Sequence, residues 1–143
     1  MQVNQLLSTL ETLPYHERVR HMVEMGKQSL TDEAFRQLLI TLTQGEMYQR
    51  MLALQACYGS RDGEAVLHSL TDASRTVRQM AIRMVAIICD DAQVQTAFDI
   101  LPEQSHLILL RMLKKQHRET LIDVYLQKLA AGEPDTWLDL IGF

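Results

Sequence analysis

Breakers, thiols and rings are all scarce in this chain. Six glycines and three prolines interrupt 143 residues, only two cysteines occur, and aromatic side chains make up 6%. Two thiols cannot build the multi-bridge framework of a small secreted domain. The longest apolar run, Met84-Val85-Ala86-Ile87-Ile88-Cys89, has six residues, far short of the roughly 20 that a spanning helix needs. No membrane contact is therefore expected. The first residues, Met1-Gln2-Val3-Asn4-Gln5, lack the basic and apolar regions of a secretory signal, which points to a cytoplasmic chain. A dominant charge is missing too. Fourteen Lys+Arg against eighteen Asp+Glu leave −4, and 47% of residues are apolar, a balance that excludes intrinsic disorder. What remains is one domain over 1–143, able to bury about 70% of its unfolded surface.

Sustained alternation of apolar and polar residues, the mark of a half-buried strand, is absent as well. The period that is present is helical. Val77, Met80, Ala81, Met84, Val85 and Ile88 recur as the stripe of one buried helix face. Leu38, Leu39 and Leu42 do the same, as do Ile122, Tyr125, Leu126 and Leu129. Pro14, Gly26, Gly45, Gly59, Pro102, Gly132 and Pro134 separate such stretches and are read as boundaries. Thr31-Asp32-Glu33, Ser74 and Asp135 supply capping side chains at helix starts. The result is an all-α chain of ten short helices at 2–12, 15–27, 31–43, 46–59, 62–71, 74–89, 91–100, 103–116, 118–131 and 135–142.

Ten helices of similar length invite a search for a repeat. A shift of 28 residues brings Leu10, Leu38, Val66, Val94 and Ile122 into one column. Leu42, Leu70, Phe98 and Leu126 form another. On the alternate helices Ala53, Ala81, Leu109 and Trp137 coincide, as do Leu54, Ile82, Leu110 and Leu138, and Cys57, Val85, Leu113 and Ile141. Each copy reads as a hairpin of helix A and helix B, with approximate copies at 1–29, 30–57, 58–85, 86–113 and 114–143. One hairpin cannot bury both apolar faces, so about five are expected to stack into a right-handed α-α superhelix, a solenoid.

Residues 66–89 name the repeat. Val66-Leu67-x-x-Leu70-x-Asp72-x-x-x-x-Val77-Arg78-x-x-Ala81 resembles a HEAT repeat, particularly the short bacterial kind of phycobilisome-lyase-like proteins. The resemblance implies a ladder between successive repeats, built from an Asp in the A–B turn and an Arg early in helix B. Asp72 and Arg78 occupy those places. A turn carboxylate that accepts from a guanidinium and from helix-terminal N–H groups makes charge-assisted bonds. The upstream copy offers Gln44 with Arg50, and the downstream copy Ile100 with His106.

Chemistry-bearing constellations do not emerge. His16 and His21 flank Glu17 in a run like a zinc-protease helix, but the five-residue spacing sets them about 140° apart, and no metal is expected. His68, His106 and His117 have no cysteine or acidic partners at ligand spacing. Cys57 shares an apolar column, and Cys89 sits beside Asp90-Asp91, whose charge quietens it. Those two acids read as a helix cap. No cofactor and no catalytic residue is assigned, and an enzyme is not expected.

Binding surfaces of helical solenoids are usually built on one helix layer, commonly the concave B-helix side. Three rows follow from the shift: Lys27, Gln55, Arg83, Arg111 and Asp139; Val23, Met51, Gln79 and Leu107; Arg20, Tyr48, Thr76 and Gln104. Tyr58, Lys114, Lys115 and Arg118 flank them. Residues 74–118 hold seven bases against four acids, +3, while the remainder carries −7. A non-catalytic scaffold is expected to bind a protein or peptide here, with Tyr48, Met51 and Leu107 as apolar anchors. Gln55, Gln79, Arg83, Arg111, Lys114 and Lys115 supply the polar contacts. The alternatives are a nucleic-acid backbone on the basic middle, and a helper subunit of a lyase-type enzyme, which the resemblance implies. Trp137, Leu138, Leu140, Ile141 and Phe143 make the last helix unusually apolar. That end reads either as a cut from a longer protein or as a docking surface for a partner or a second copy.

Overall fold

Several helix starts in the computed structural model, which describes residues 3–132, fall where capping side chains stand, while the helices Tyr15–Gln28 and Glu103–Lys115 begin after Pro14 and Pro102. Asp32 accepts from the N–H groups of Ala34 and Phe35 (2.8 and 3.3 Å) and opens α3, Glu33–Thr43. Ser74 accepts from Val77 N–H (3.4 Å) and opens α6, Arg75–Ile88. Asp90 and Gln93 form a reciprocal capping box at 2.8 and 3.0 Å ahead of α7, Asp91–Ile100. Each such cap satisfies N–H groups that have no partner inside the helix. The other described helices are α1 (Val3–Glu11), α2 (Tyr15–Gln28), α4 (Met47–Ser60), α5 (Gly63–His68), α8 (Glu103–Lys115) and α9 (Glu119–Gly132). The described chain is all-α, with no strand among the described residues. The helix expected over 135–142, with its Asp135 cap and its apolar end, lies outside those residues.

One expected element divides. The helix read over 62–71 becomes α5 followed by a 3-10 turn over Ser69–Thr71. Ser69 Oγ donates back to Ala65 O and Thr71 Oγ1 to His68 O (3.4 and 3.2 Å), which draws carbonyl acceptance away from a regular last turn.

Most of the described residues of the repeat columns lie in the core, with Cys57 and Leu126 half-buried against it. Leu10, Leu38, Val66, Val94 and Ile122 are all buried, as are Ala53, Ala81 and Leu109, and no polar or charged residue is buried among the described residues. Two apolar clusters result. One gathers Leu10, Met22, Phe35, Leu38, Leu42 and Leu52; the other runs from Leu54 through Val85 and Leu109 to Tyr125. Helix α4 feeds both.

Gly26 and Gly59 are not the helix ends that the sequence suggests. Both lie inside helices, α2 and α4, because these two helices touch backbone to backbone. A Cβ on Gly26 would fall on the Ala56 carbonyl, and one on Gly59 on the Val23 carbonyl, each with the carbonyl carbon at 2.9 Å. Rising numbers on one helix meet falling numbers on the other, so α2 and α4 run antiparallel. Helix α4 ends instead at Arg61, a non-glycine residue in the left-handed region at φ 58°.

From α4 onward the order is different. Helix α4 packs on α6, and α6 on α8, with α5 and α7 in contact behind them. Arg50, early in α4, bonds Asp72 just ahead of α6. The starts of α6 and α8 line one groove. The three helices therefore run parallel. They begin at Met47, Arg75 and Glu103, 28 residues apart, whereas α2 begins at Tyr15, 32 before α4.

Candidate binding face

Four helix starts share one device. The fourth residue of α2, α4, α6 and α8 is Arg18, Arg50, Arg78 and His106. Each donates to the carbonyl five residues back: Leu13 at 2.8 Å, Gly45 at 2.8 Å, Ala73 at 3.1 Å and Leu101 at 3.0 Å. Those carbonyls lie in the turn before the helix, outside its own hydrogen-bond ladder, and the side chain satisfies them. The Leu101 carbonyl can only accept, so His106 carries its proton on Nε2. In the neutral ring, Nδ1 then accepts the Tyr125 hydroxyl at 2.8 Å.

Asp72 links two of these stations. Its carboxylate receives a two-pronged bond from Arg50, Nε at 2.8 Å and Nη2 at 3.0 Å, and also accepts Ser74 N–H at 2.8 Å. Arg78, the partner named with Asp72 from the sequence, donates instead to the main-chain carbonyls of Asp72 (2.7 Å) and Ala73. The Arg50 guanidinium holds the Asp72 carboxyl below its ordinary range, with the Ser74 N–H and the charge of Arg78 adding to that effect against partial burial. Arg50 is raised in turn by the same bond. The 28-residue shift superimposes Arg50 on Arg78, and the Arg50–Asp72 bond joins successive copies, as a ladder between repeats requires. Arg78 has no acid to meet in the next copy, where Ile100 stands in the place of Asp72.

The outward ridges of α4, α6 and α8 carry the rows derived from the sequence. Tyr48, Gln79, Arg83, Arg111, Lys114 and Lys115 are exposed, Tyr48 at 40%. Met51 and Leu107 are half-buried and packed on the core, so each offers only part of its surface. Gln55 is half-buried, with its amide 3.7 Å from the Met80 sulfur. No ion pair within the described residues engages Arg83 or Arg111. Arg118 does not belong with them. It donates to the Ala86 and Cys89 carbonyls (3.1 and 2.8 Å) and to Asp91 (3.1 Å), closing the C-terminal end of α6. Lys27 and Arg20 lie on α2, which runs against α4, and they pair with Glu24 and Glu17 on their own helix.

Two clefts adjoin this layer. One, of about 480 Å³, runs between α6 and α8. The other, of about 340 Å³, opens between α7, α8 and α9 over the Phe98, His106 and Tyr125 rings. Phe98 stacks tilted on Tyr125 at 4.5 Å and meets His106 edge-on at 5.3 Å. Burial, then the charge of Glu103, raises the Tyr125 hydroxyl above its usual pKa.

Both thiols are pushed up to about 11, Cys57 by burial and then Asp62, Cys89 by burial and then Asp90. Burial, rather than the neighbouring acids, is the larger cause. At neutral pH such thiols hold almost no nucleophilic thiolate. Among the described residues no group of three or more His, Cys, Asp or Glu side chains could hold a metal ion, and no helix is long and apolar enough to cross a membrane. No protein-family model, curated protein or solved structure matches the chain.

Proposed function

We propose that α4–α9 form a short HEAT-like solenoid whose outward α4–α6–α8 face binds a protein or peptide partner, without catalysis. The observation that supports this reading is a set of equivalent positions on three parallel helices. Gln55, Arg83 and Arg111 stand in one row beside Tyr48, Met51 and Leu107, and neither arginine is paired within the described residues. Unpaired guanidiniums next to partly exposed apolar groups match the anchors that dominate protein interfaces. The parallel order, the Arg50–Asp72 bond between successive hairpins and the 28-residue step support the HEAT-like description.

Affinity capture from the source cell tests it. Arg83→Glu combined with Arg111→Glu should lose the partner while helicity and melting temperature stay near wild type, since both side chains are exposed. Recovery of the same partner by the double variant would put the interface elsewhere. A steeply salt-dependent shift of duplex or single-stranded DNA would transfer the face to nucleic acid.

A further inference from the structure

We infer that the groove between α6 and α8 seats an acidic peptide in extended form, with an apolar side chain between its acids. This inference rests on the reading of the α4–α6–α8 face as a protein-binding surface, and it adds the seat and the chemistry of the occupant.

The groove measures about 480 Å³, and its long walls are Arg75, Gln79 and Ile82 on one side and Gln104, Ser105 and Ile108 on the other. Charge decides the occupant. Asp72 is the one carboxylate in the lining, and Arg50 already holds it through both oxygens. Arg78 keeps its guanidinium at the same end, fixed on two carbonyls. Arg75 is exposed and has no ion pair within the described residues. Arg83, two turns beyond Arg75 on α6, and Arg111, one turn beyond Ile108 on α8, stand outside the lining and add positive charge further along the same two helices. The uncompensated charge of the lining, from Arg75 and Arg78, is positive, and carboxylates complement it.

Shape and hydrogen bonding favour a peptide. Ile100, Pro102 and the half-buried Ile108 give the groove an apolar strip that takes one aliphatic side chain, with Ile82 buried beneath it. Gln79 and Gln104 each offer a donor and an acceptor, the two groups that an extended backbone presents. No aromatic residue lines the groove, so it has no platform for stacking bases, and its few cations are too few to track a nucleic-acid backbone.

Selection of a random dodecapeptide display library on the full chain tests the inference. Enriched sequences should carry excess Asp and Glu around an apolar residue. Their binding should weaken by about tenfold or more in Arg75→Glu with Gln104→Glu, and should fall with added salt. Circular dichroism and melting of that variant confirm that it folds. The inference is overturned if no sequence is enriched or if enriched peptides are neutral or basic. It also falls if binding is unchanged in the Arg75→Glu, Gln104→Glu variant but lost in Arg83→Glu with Arg111→Glu. In that last case the broader face stands and only the groove assignment falls. Binding of an oligonucleotide, lost in the same groove variant, would replace the peptide by nucleic acid.

Discussion

Asp72 accepts from Arg50 of the preceding hairpin and from Ser74 N–H at the start of the next helix, and so joins two stations with one carboxylate. Its side chain is 13% exposed and that of Arg50 25%, so the pair is partly shielded, unlike the Glu17–Arg20 and Glu24–Lys27 pairs on the surface. Asp72→Ala removes the two-pronged bond and should destabilise by about 1–2 kcal/mol in chemical denaturation. The pH dependence has a defined sign. Because the folded-state pKa of Asp72 is depressed, its contribution is complete above the ordinary carboxylate range, near 3.9. It is lost as pH falls through the lower, folded value. Asp72→Asn should therefore flatten the acid limb of stability against pH while leaving its slope above pH ~6 unchanged. An acid limb identical to wild type would remove Asp72 from the linkage. Sequence reading reached Asp72 and a ladder between successive copies but set Arg78 beside it where Arg50 makes the bond, because periodicity carries no information on which of two equivalent arginines turns toward a carboxylate.

At the scale of elements, the contact between α2 and α4 reverses a usual expectation. Glycine to alanine inside a helix ordinarily stabilises by close to 1 kcal/mol. At Gly26 and Gly59 the added methyl meets a carbonyl of the facing helix, and backbone cannot move aside as a flexible side chain would. Gly26→Ala and Gly59→Ala should each destabilise, by roughly 1–3 kcal/mol, as read from denaturation midpoints. A gain in stability for either would mean that the helices separate without cost. Apolar periodicity made the nine described helices legible almost to their ends. The direction of α2 was not legible. Apolar periodicity assigns a residue to a helix face and reads the same whichever way the helix runs, so it says nothing about orientation.

For the whole molecule, the two apolar clusters meet at α4, where Leu52 faces one and Leu54 the other. Damage to either cluster should therefore spread unevenly. Met22→Ala, at a fully buried site, is expected to cost about 2–5 kcal/mol. Hydrogen exchange should then accelerate in α1–α3 more than in α6–α9, with α4 between. Uniform acceleration would show a single cooperative unit instead. Much of the candidate face was readable from the sequence, since exposure of Arg83 and Arg111 follows from helical phase alone. The α6–α8 groove was not, because its walls come from two helices whose relative direction no local pattern records.

The antiparallel seat of α2 on α4 also sets where this architecture can lengthen. An extra 28-residue hairpin spliced among α4–α8 would repeat contacts already made there: side chain to turn carbonyl, ridge beside ridge, one start next to another. The same hairpin spliced between α2 and α4 would have to part Gly26 from Ala56 and Gly59 from Val23. An insertion between α2 and α4 should therefore cost more stability than one among α4–α8, because only the first parts a backbone-to-backbone contact that glycine alone permits.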